Sequence, residues 1–181
     1  NGLQMAGIAN ITASKLNGVQ IALCNYATQA RGLQIGLVNY YKEDMKGFQL
    51  GLVNANPDTR VQMMVYGGNA TPANIGVRFK NQLFYTILGI GSMYQGLNDK
   101  FSASASYRAG LSFTLYKGLS ISGDLGYQHI EAFDNKDEVI PKRLYALQAR
   151  ANLEYQFTRK FGIFATGGYG LTRFYNKSSN Y

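Results

Sequence analysis

Residues 32–54 read GLQIGLVNYYKEDMKGFQLGLVN, and the pattern G-(apolar)-Q-(apolar)-G-L-V-N occurs in this stretch twice. The same pattern extends toward both ends of the chain. Its glutamines are Gln4, Gln20, Gln34, Gln49 and Gln62, and the asparagines that follow them are Asn10, Asn25, Asn39, Asn54 and Asn69. We interpret this as four clear copies and a degenerate fifth, with a period of about fifteen residues.

Each copy alternates in the way typical of an extended strand that is buried on one side. Leu33, Ile35 and Leu37 share one face, and Gln34 and Gly36 share the other. We expect the apolar face to lie in a continuous core, and the copies to stack so that Gln and Asn side chains form rows of amide hydrogen bonds. A β-solenoid and a ladder of short hairpins satisfy this spacing equally well.

Three further features of the copies predict local structure. The opening glycines, Gly2, Gly18, Gly32 and Gly47, sit where a corner with positive φ is needed. The amide rows are interpreted as plain stacking, with a ligand-binding ladder as the alternative. Cys24 occupies the position held by Val38 and Val53 in other copies, which indicates a small apolar residue.

The pattern of apolar and polar residues changes after Pro72. Residues 101–116, FSASASYRAGLSFTLY, alternate without a fault between an apolar face and a face of Ser, Arg, Gly and Thr. Sixteen residues exceed the usual length of a globular strand, about five or six, whereas barrel strands that cross a membrane need about 9 to 11. The pattern recurs in residues 119–127, 143–158 and 161–171. It predicts long strands with one face toward lipid.

The connections and the aromatic residues agree with this prediction. Strands are expected near residues 75–80, 83–94, 101–116, 119–131, 143–158 and 161–175, with short turns at 81–82, 117–118 and 159–160 and longer polar loops at 95–100 and 132–142. On the apolar face, Tyr145 and Phe157 are twelve residues apart, which is ~30 Å along the membrane normal for a tilted strand. That distance matches two aromatic girdles. The alternative is a large soluble β-sandwich or β-barrel with one solvent-exposed face.

Residues 75–175 therefore resemble the outer-membrane β-barrel proteins of Gram-negative bacteria. The G-x-Q-x-G-L-x-N copies resemble the short surface-repeat segments of outer-membrane and surface proteins from Bacteroidota and spirochaetes. These resemblances imply a location in the cell outer membrane, with outer-membrane lipid and other outer-membrane or surface proteins as partners. One feature departs from the barrel pattern, since residues 173–181, RFYNKSSNY, are a polar stretch where a closing aromatic strand is usual.

The sequence thus predicts an all-β protein, an antiparallel transmembrane β-barrel preceded by a stacked short β-repeat. Residues 1–70 are assigned to about five repeat copies and residues 71–181 to at least six barrel strands. Six strands are too few to close around side chains. We therefore expect the barrel to be incomplete within 71–181, either borrowing strands from the repeats or continuing beyond this chain.

Composition excludes several classes of function. The net charge is +8, but the charged residues are spread singly along the chain, so nucleic acid is not expected as a partner. A single cysteine excludes an internal disulfide and a cysteine-based zinc cluster. No catalytic, cofactor-binding or metal-binding residues are assigned.

Five charged residues fall on the polar face of the long strands. They are Arg78, Arg108, Asp124, Arg150 and Glu154. We predict that they face the lumen, where they form either a salt-bridged plug, which we favour, or the lining of a selective pore.

A lipid hydrolase is the enzyme class to test, because such barrels place a Ser-His pair on the lipid face. His129 is the only histidine, and Glu131 shares its face, but no serine lies two residues away. We expect His129 to be a solvated residue at the rim. The sequence favours a non-enzymatic structural or accessory protein of the cell surface, with a narrow porin-like channel and a soluble β-repeat adhesin as alternatives.

Overall fold

The computed structural model describes residues 2–68, 71–92, 102–133, 142–158 and 160–175. All regular elements in these ranges are strands, which confirms the all-β prediction. Within them no helix is long and apolar enough to span a membrane. The chain separates into two compact units, a first formed by Asn1–Gln62 with Phe79–Thr86 and a second formed by Met63–Arg78 with Ile87–Tyr181.

Consecutive repeat copies pair in parallel in a five-stranded sheet, which we call the repeat stack. Its strands, in spatial order, are β1 (Gly2–Met5), β2 (Ala9–Ile21), β3 (Cys24–Ile35), β4 (Val38–Leu50) and β5 (Val53–Ala55). Only two residues separate β2 from β3, so parallel pairing requires each strand to turn back within its own length. The copies are therefore coils of a β-solenoid and not a ladder of hairpins.

Equivalent residues of successive copies lie in register. Gly18 pairs with Gly32, and Gly32 pairs with Gly47. The register shifts at one corner of each coil, between Thr12 and Lys15 in β2 and between Ala27 and Gln29 in β3. Copies of unequal length are accommodated at this corner, which explains how the glutamines stay aligned despite spacings of 16, 14 and 15 residues.

The amide rows form as expected. Gln34 Nε2 donates to Gln20 Oε1 at 2.9 Å, and Gln49 Nε2 donates to Gln34 Oε1 at 2.8 Å. A parallel asparagine row runs from Asn25 Nδ2 to Asn39 Oδ1 at 2.9 Å and continues from Asn39 to Asn54. The glutamine side chains thus hydrogen-bond to one another, and so do the asparagine side chains, as plain stacking predicts.

The expectation that Leu33, Ile35 and Leu37 form the core is wrong. Gln34 is fully buried, whereas Leu37 is 49% exposed and the other two side chains are only half-buried. The physical reason is the bonding across the coil, where Gln20 Nε2 donates to Tyr26 O at 3.3 Å. An amide on the inner face can hydrogen-bond both to the amides of neighbouring coils and to the backbone on the opposite side of its own coil. A leucine can do neither. The apolar core is small and consists of Leu16, Ala27 and Ala30, with Met45 packed against it.

The degenerate fifth copy is not part of the stack. Gln62 lies in β6 (Arg60–Tyr66), which belongs to a different sheet, and Asn69 lies outside the described residues. The last coil is instead closed by residues of the first unit. Thr86 Oγ1 donates to Leu52 O at 2.9 Å, and Asn54 Nδ2 turns back to Gly51 O at 3.0 Å.

The remaining strands form a seven-stranded sheet in the order β12-β11-β10-β9-β8-β7-β6. After β6 these are β7 (Ala73–Asn81), β8 (Phe84–Ser92), β9 (Ser102–Tyr116), β10 (Leu119–Ala132), β11 (Lys142–Gln156) and β12 (Gly162–Tyr175). The six strands predicted after Pro72 are all present. The seventh, β6, comes from the part of the chain that we assigned to the repeats.

The short turns lie close to their predicted places. The turn at Lys117 and Gly118 is present, with a positive φ of 81° at Gly118. The turn expected at Asn81 and Gln82 lies one residue later, because Asn81 still belongs to β7 and Gln82 has the positive φ, 47°. Outside the described residues lie Arg159 of the third turn, the whole loop expected at 95–100 and residues 134–141 of the loop expected at 132–142.

Candidate functional site

The two faces of the long strands differ in chemistry and in exposure. On β9, Ser104, Arg108 and Ser112 are buried, while Leu111 is 48% and Phe113 is 47% exposed. The alternation predicted from the sequence is therefore confirmed, and the polar face is the inner one. A soluble sheet has the opposite arrangement, with apolar side chains inside.

An ion pair at the centre of the second unit joins neighbouring strands. Arg108 Nε donates to Asp124 Oδ1 at 2.9 Å and Arg108 Nη2 donates to Oδ2 at 2.7 Å. The Asp124 side chain is fully buried, and the Arg108 side chain is 3% exposed. Such a bidentate pair is the strong form of the arginine–carboxylate interaction.

Asn152 extends this pair to β11 and β12. Its Nδ2 donates to Asp124 Oδ2 at 2.8 Å, and its Oδ1 accepts from Arg108 Nη2 at 3.1 Å. Thr166 Oγ1 donates to the same Oδ1 at 2.7 Å. Arg150 Nη1 lies 3.9 Å from Asp124 Oδ1. Four strands are thus tied together by one hydrogen-bonded network around a buried carboxylate.

A second bidentate pair links strands that are far apart in the sheet order. Arg78 on β7 donates to both carboxylate oxygens of Glu154 on β11, at 2.7 Å each. Three strands separate β7 from β11 in the sheet. The sheet therefore curls enough to bring β7 and β11 together on its polar face.

All five predicted lumen charges lie on this inner face. Two carboxylates, Asp124 and Glu154, meet three guanidinium groups, those of Arg78, Arg108 and Arg150. Three positive charges less two negative charges leave an excess of one positive charge in this set. Each carboxylate is held by a bidentate arginine, so each pair links two strands of the sheet.

A polar cavity of about 380 Å³ lies next to the central pair. Its lining includes Arg108, Gln128, Gln148 and Arg150 together with the rings of Tyr66 and Phe164. These two rings meet edge to face at 6.3 Å, and the Arg108 guanidinium is 6.0 Å from the centroid of Tyr66. The cavity is large enough for several water molecules or a small polar solute.

Sequence reasoning missed several members of the network. Gln128 Nε2 donates to Thr71 Oγ1 at 3.1 Å and to Ser104 Oγ at 3.2 Å, and Thr71 Oγ1 donates to Asn74 Oδ1 at 2.7 Å. Gln128 and Asn152 could have been found, since both fall on the polar face of an alternating strand. Nothing in the local sequence marks Thr71, because its partner is 57 residues away.

His129 lies on the outer face of β10, where it pairs with Ala105 of β9 and Tyr145 of β11. The imidazole ring packs on Tyr145, with centroids 4.9 Å apart, and the side chain is half-buried. Glu131 accepts a hydrogen bond from Arg143 Nε at 3.2 Å, and both side chains are substantially exposed. Ser102 and Ser104 are buried on the opposite face. Across the described ranges no group of His, Cys, Asp and Glu side chains could hold a metal ion.

No protein-family model matches the chain, and neither a curated protein nor a solved structure matches it. The inference of function therefore rests on the chemistry of the two faces of the sheet, because an all-β architecture is compatible with many unrelated activities.

Proposed function

We propose that this chain is an outer-membrane β-barrel protein that serves as a non-enzymatic structural or accessory component of the bacterial cell surface. One observation carries the proposal: the long strands place their apolar side chains on the outer face and their charged side chains on the inner face. Leu125 is 71% and Leu147 is 63% exposed, whereas Arg108 and Asp124 are buried. In water both placements are unfavourable, because they expose a large apolar patch and bury charge. In a bilayer the apolar face meets hydrocarbon, and the polar face has an interior to line.

The spacing of aromatic residues supports the same environment. Tyr127 and Tyr145 stack on the outer face at one level, with ring centroids 5.9 Å apart. Tyr155, which is 48% exposed, lies ten residues further along β11 than Tyr145. For a strand with a rise of ~3.3 Å per residue and a tilt of ~40°, ten residues span ~25 Å along the normal. That span equals the height of the apolar band of outer-membrane barrels, about 25 Å.

A charge on the outer face tests this environment. Leu125 is at the middle of β10 and pairs with Ala109 and Ala149, so we expect Leu125→Arg to lower the free energy of unfolding in phosphatidylcholine vesicles by about 2–4 kcal/mol. The measurement is a urea titration of the reconstituted chain, followed by the mobility shift between folded and unfolded protein on a gel.

Thr172→Arg is the matched control, because Thr172 is exposed but lines the polar cavity. We expect a change of about 0.5 kcal/mol or less for this variant, as for an ordinary exposed site. Equal tolerance of arginine at positions 125 and 172 would mean that Leu125 faces water, and the soluble β-repeat adhesin would then be the better description.

A narrow porin-like channel is the second candidate, and the cavity of about 380 Å³ beside Arg108 and Arg150 favours it. In planar bilayers the structural proposal predicts no steady conductance, because bidentate pairs and amide side chains occupy the interior. A channel would conduct steadily, and its anion preference would fall in an Arg150→Gln variant. Steady conductance that changes with Arg150 would overturn the structural proposal and leave the chain in the membrane.

A further inference from the structure

We propose that the repeat stack inserts one of its edges into the hydrocarbon of a single membrane leaflet. This edge, which we call the apolar edge, is formed by the bends between successive strands. At each bend one large apolar side chain points outward. The four are Ile8, Leu23, Leu37 and Leu52, with exposures of 76%, 49%, 49% and 38%. The proposal concerns the first unit by itself and does not require the seven-stranded sheet to cross the membrane.

The apolar surface continues along both sides of each bend. Before the bends, Met5, Phe48 and Leu50 are 68%, 76% and 56% exposed, and after them Ile11 and Val38 are 73% and 40% exposed. Residues 2–11, 18–25, 32–39 and 47–54, which carry these positions, contain no charged side chain. The polar residues that they do contain, the glutamines and asparagines, face inward in the amide rows.

The charges of the stack fall in residues 15–17, 29–31 and 42–46, which lie beside one another in successive coils and which we call the charged corner. They are Lys15, Arg31, Lys42, Glu43, Asp44 and Lys46. Between this corner and the apolar edge, the rings of Tyr26 and Tyr40 stack with centroids 5.7 Å apart. Apolar side chains at one end, tyrosines between and charges at the other end follow the order of the layers across a membrane surface.

The hydrogen bonding of the backbone favours lipid over a protein partner at this edge. Leu37 N donates to Leu23 O at 2.9 Å, Cys24 N donates to Ile8 O at 2.8 Å, and Val53 N donates to Leu37 O at 2.9 Å. These bends therefore satisfy one another from coil to coil. Satisfied backbone is the condition for a segment to enter hydrocarbon, where each unpaired group costs several kcal/mol. A protein partner can supply hydrogen bonds to unpaired backbone, whereas lipid cannot.

The dimensions of the apolar edge suit one leaflet. From Leu33 to Leu37 the chain advances four residues, or ~13 Å at ~3.3 Å per residue. The hydrocarbon core is ~30 Å thick, so an edge of this depth reaches about halfway across it. The charged corner then stays at the level of the headgroups.

The chain contains no tryptophan, so a single introduced tryptophan reports on its own surroundings. Three variants of the full chain are compared after reconstitution in phosphatidylcholine vesicles, with or without bromine on the acyl chains. Leu37→Trp probes the apolar edge, Lys42→Trp is the control at the charged corner, and Leu125→Trp probes the outer face of β10. We expect bromine to reduce the fluorescence of Leu37→Trp about twofold and to leave Lys42→Trp nearly unchanged.

The third variant separates this proposal from that of the barrel. Quenching of Leu125→Trp without quenching of Leu37→Trp would overturn insertion of the apolar edge and leave the proposal of a barrel standing. Quenching of Leu37→Trp without quenching of Leu125→Trp would support insertion of the apolar edge and overturn the proposal of a barrel. Blue-shifted emission of Leu37→Trp without quenching would show that protein covers the edge, which also overturns the proposal. If Leu37→Trp does not fold, the single exposed cysteine, Cys24, carries a polarity-sensitive dye in the otherwise unchanged chain, with the same expected quenching.

Discussion

Replacing Arg108 with methionine is expected to destabilise the protein by about 3–5 kcal/mol, because it leaves a buried carboxylate without its bidentate partner. The Asp124 side chain is fully buried and receives two bonds from Arg108, at 2.9 and 2.7 Å. Asn152 still donates to Asp124 after the substitution, but it supplies no charge. Arg150 is 3.9 Å away and cannot replace two short bonds without moving. The change is measured as the shift in free energy of unfolding in urea.

Two further variants make this expectation specific. Arg143→Met removes the exposed partner of Glu131, at 3.2 Å, and is expected to cost about 1 kcal/mol or less. The double variant Arg108→Met, Asp124→Leu removes both charges and is expected to cost less than the sum of the single variants. If Arg108→Met were as mild as Arg143→Met, the Arg108–Asp124 pair would not be holding the interior together.

Replacing Gly32 with alanine is expected to disrupt the repeat stack, at a cost of about 3 kcal/mol or more. The backbone of Gly32 has a φ of +132°, which side chains rarely adopt. A Cβ atom there would lie 2.0 Å from Gly18 O and 2.9 Å from Gly18 C, which are backbone atoms of the preceding coil. Since both atoms belong to the paired strand, relief requires the two coils to separate.

Gly7→Ala is the control within the same stack, because a Cβ at Gly7 meets nothing within 4 Å. Both variants are tested by the loss of folded, heat-resistant migration on a gel and by the urea midpoint. We expect Gly7→Ala to behave like the unchanged chain. Similar losses in the two variants would mean that the opening glycines do not set the spacing between coils.

Much of the architecture follows from local pattern. The period of about fifteen residues and the glycine at each opening predict stacked copies, and the structure stacks them as coils, with Gly18, Gly32 and Gly47 in one row. Alternation over residues 101–116 predicts a long strand with unlike faces, and β9 spans Ser102–Tyr116. These features depend on neighbouring residues alone, so one sequence is sufficient to predict them.

Which face of the repeat is buried is a different kind of question. A period of two separates Leu33 and Leu37 from Gln34, but it does not say which set lies inside. Inside a coil of about fifteen residues, an amide bonds both to the next coil and to the backbone across the coil, as Gln20 does to Gln4 and Tyr26. The apolar side chains then lie outside, where the surrounding medium determines whether their exposure is favourable.

The sequence by itself determined that the chain is all-β, that its repeats stack, and that Arg78, Arg108, Asp124, Arg150 and Glu154 share one face of their strands. Only the tertiary structure decided that Arg78 meets Glu154, 76 residues away, and that Gln62 joins the seven-stranded sheet. The physical reason is that strand alternation is set by neighbours along the chain, whereas these pairings depend on how far the sheet curls. That curl is a property of all its strands together.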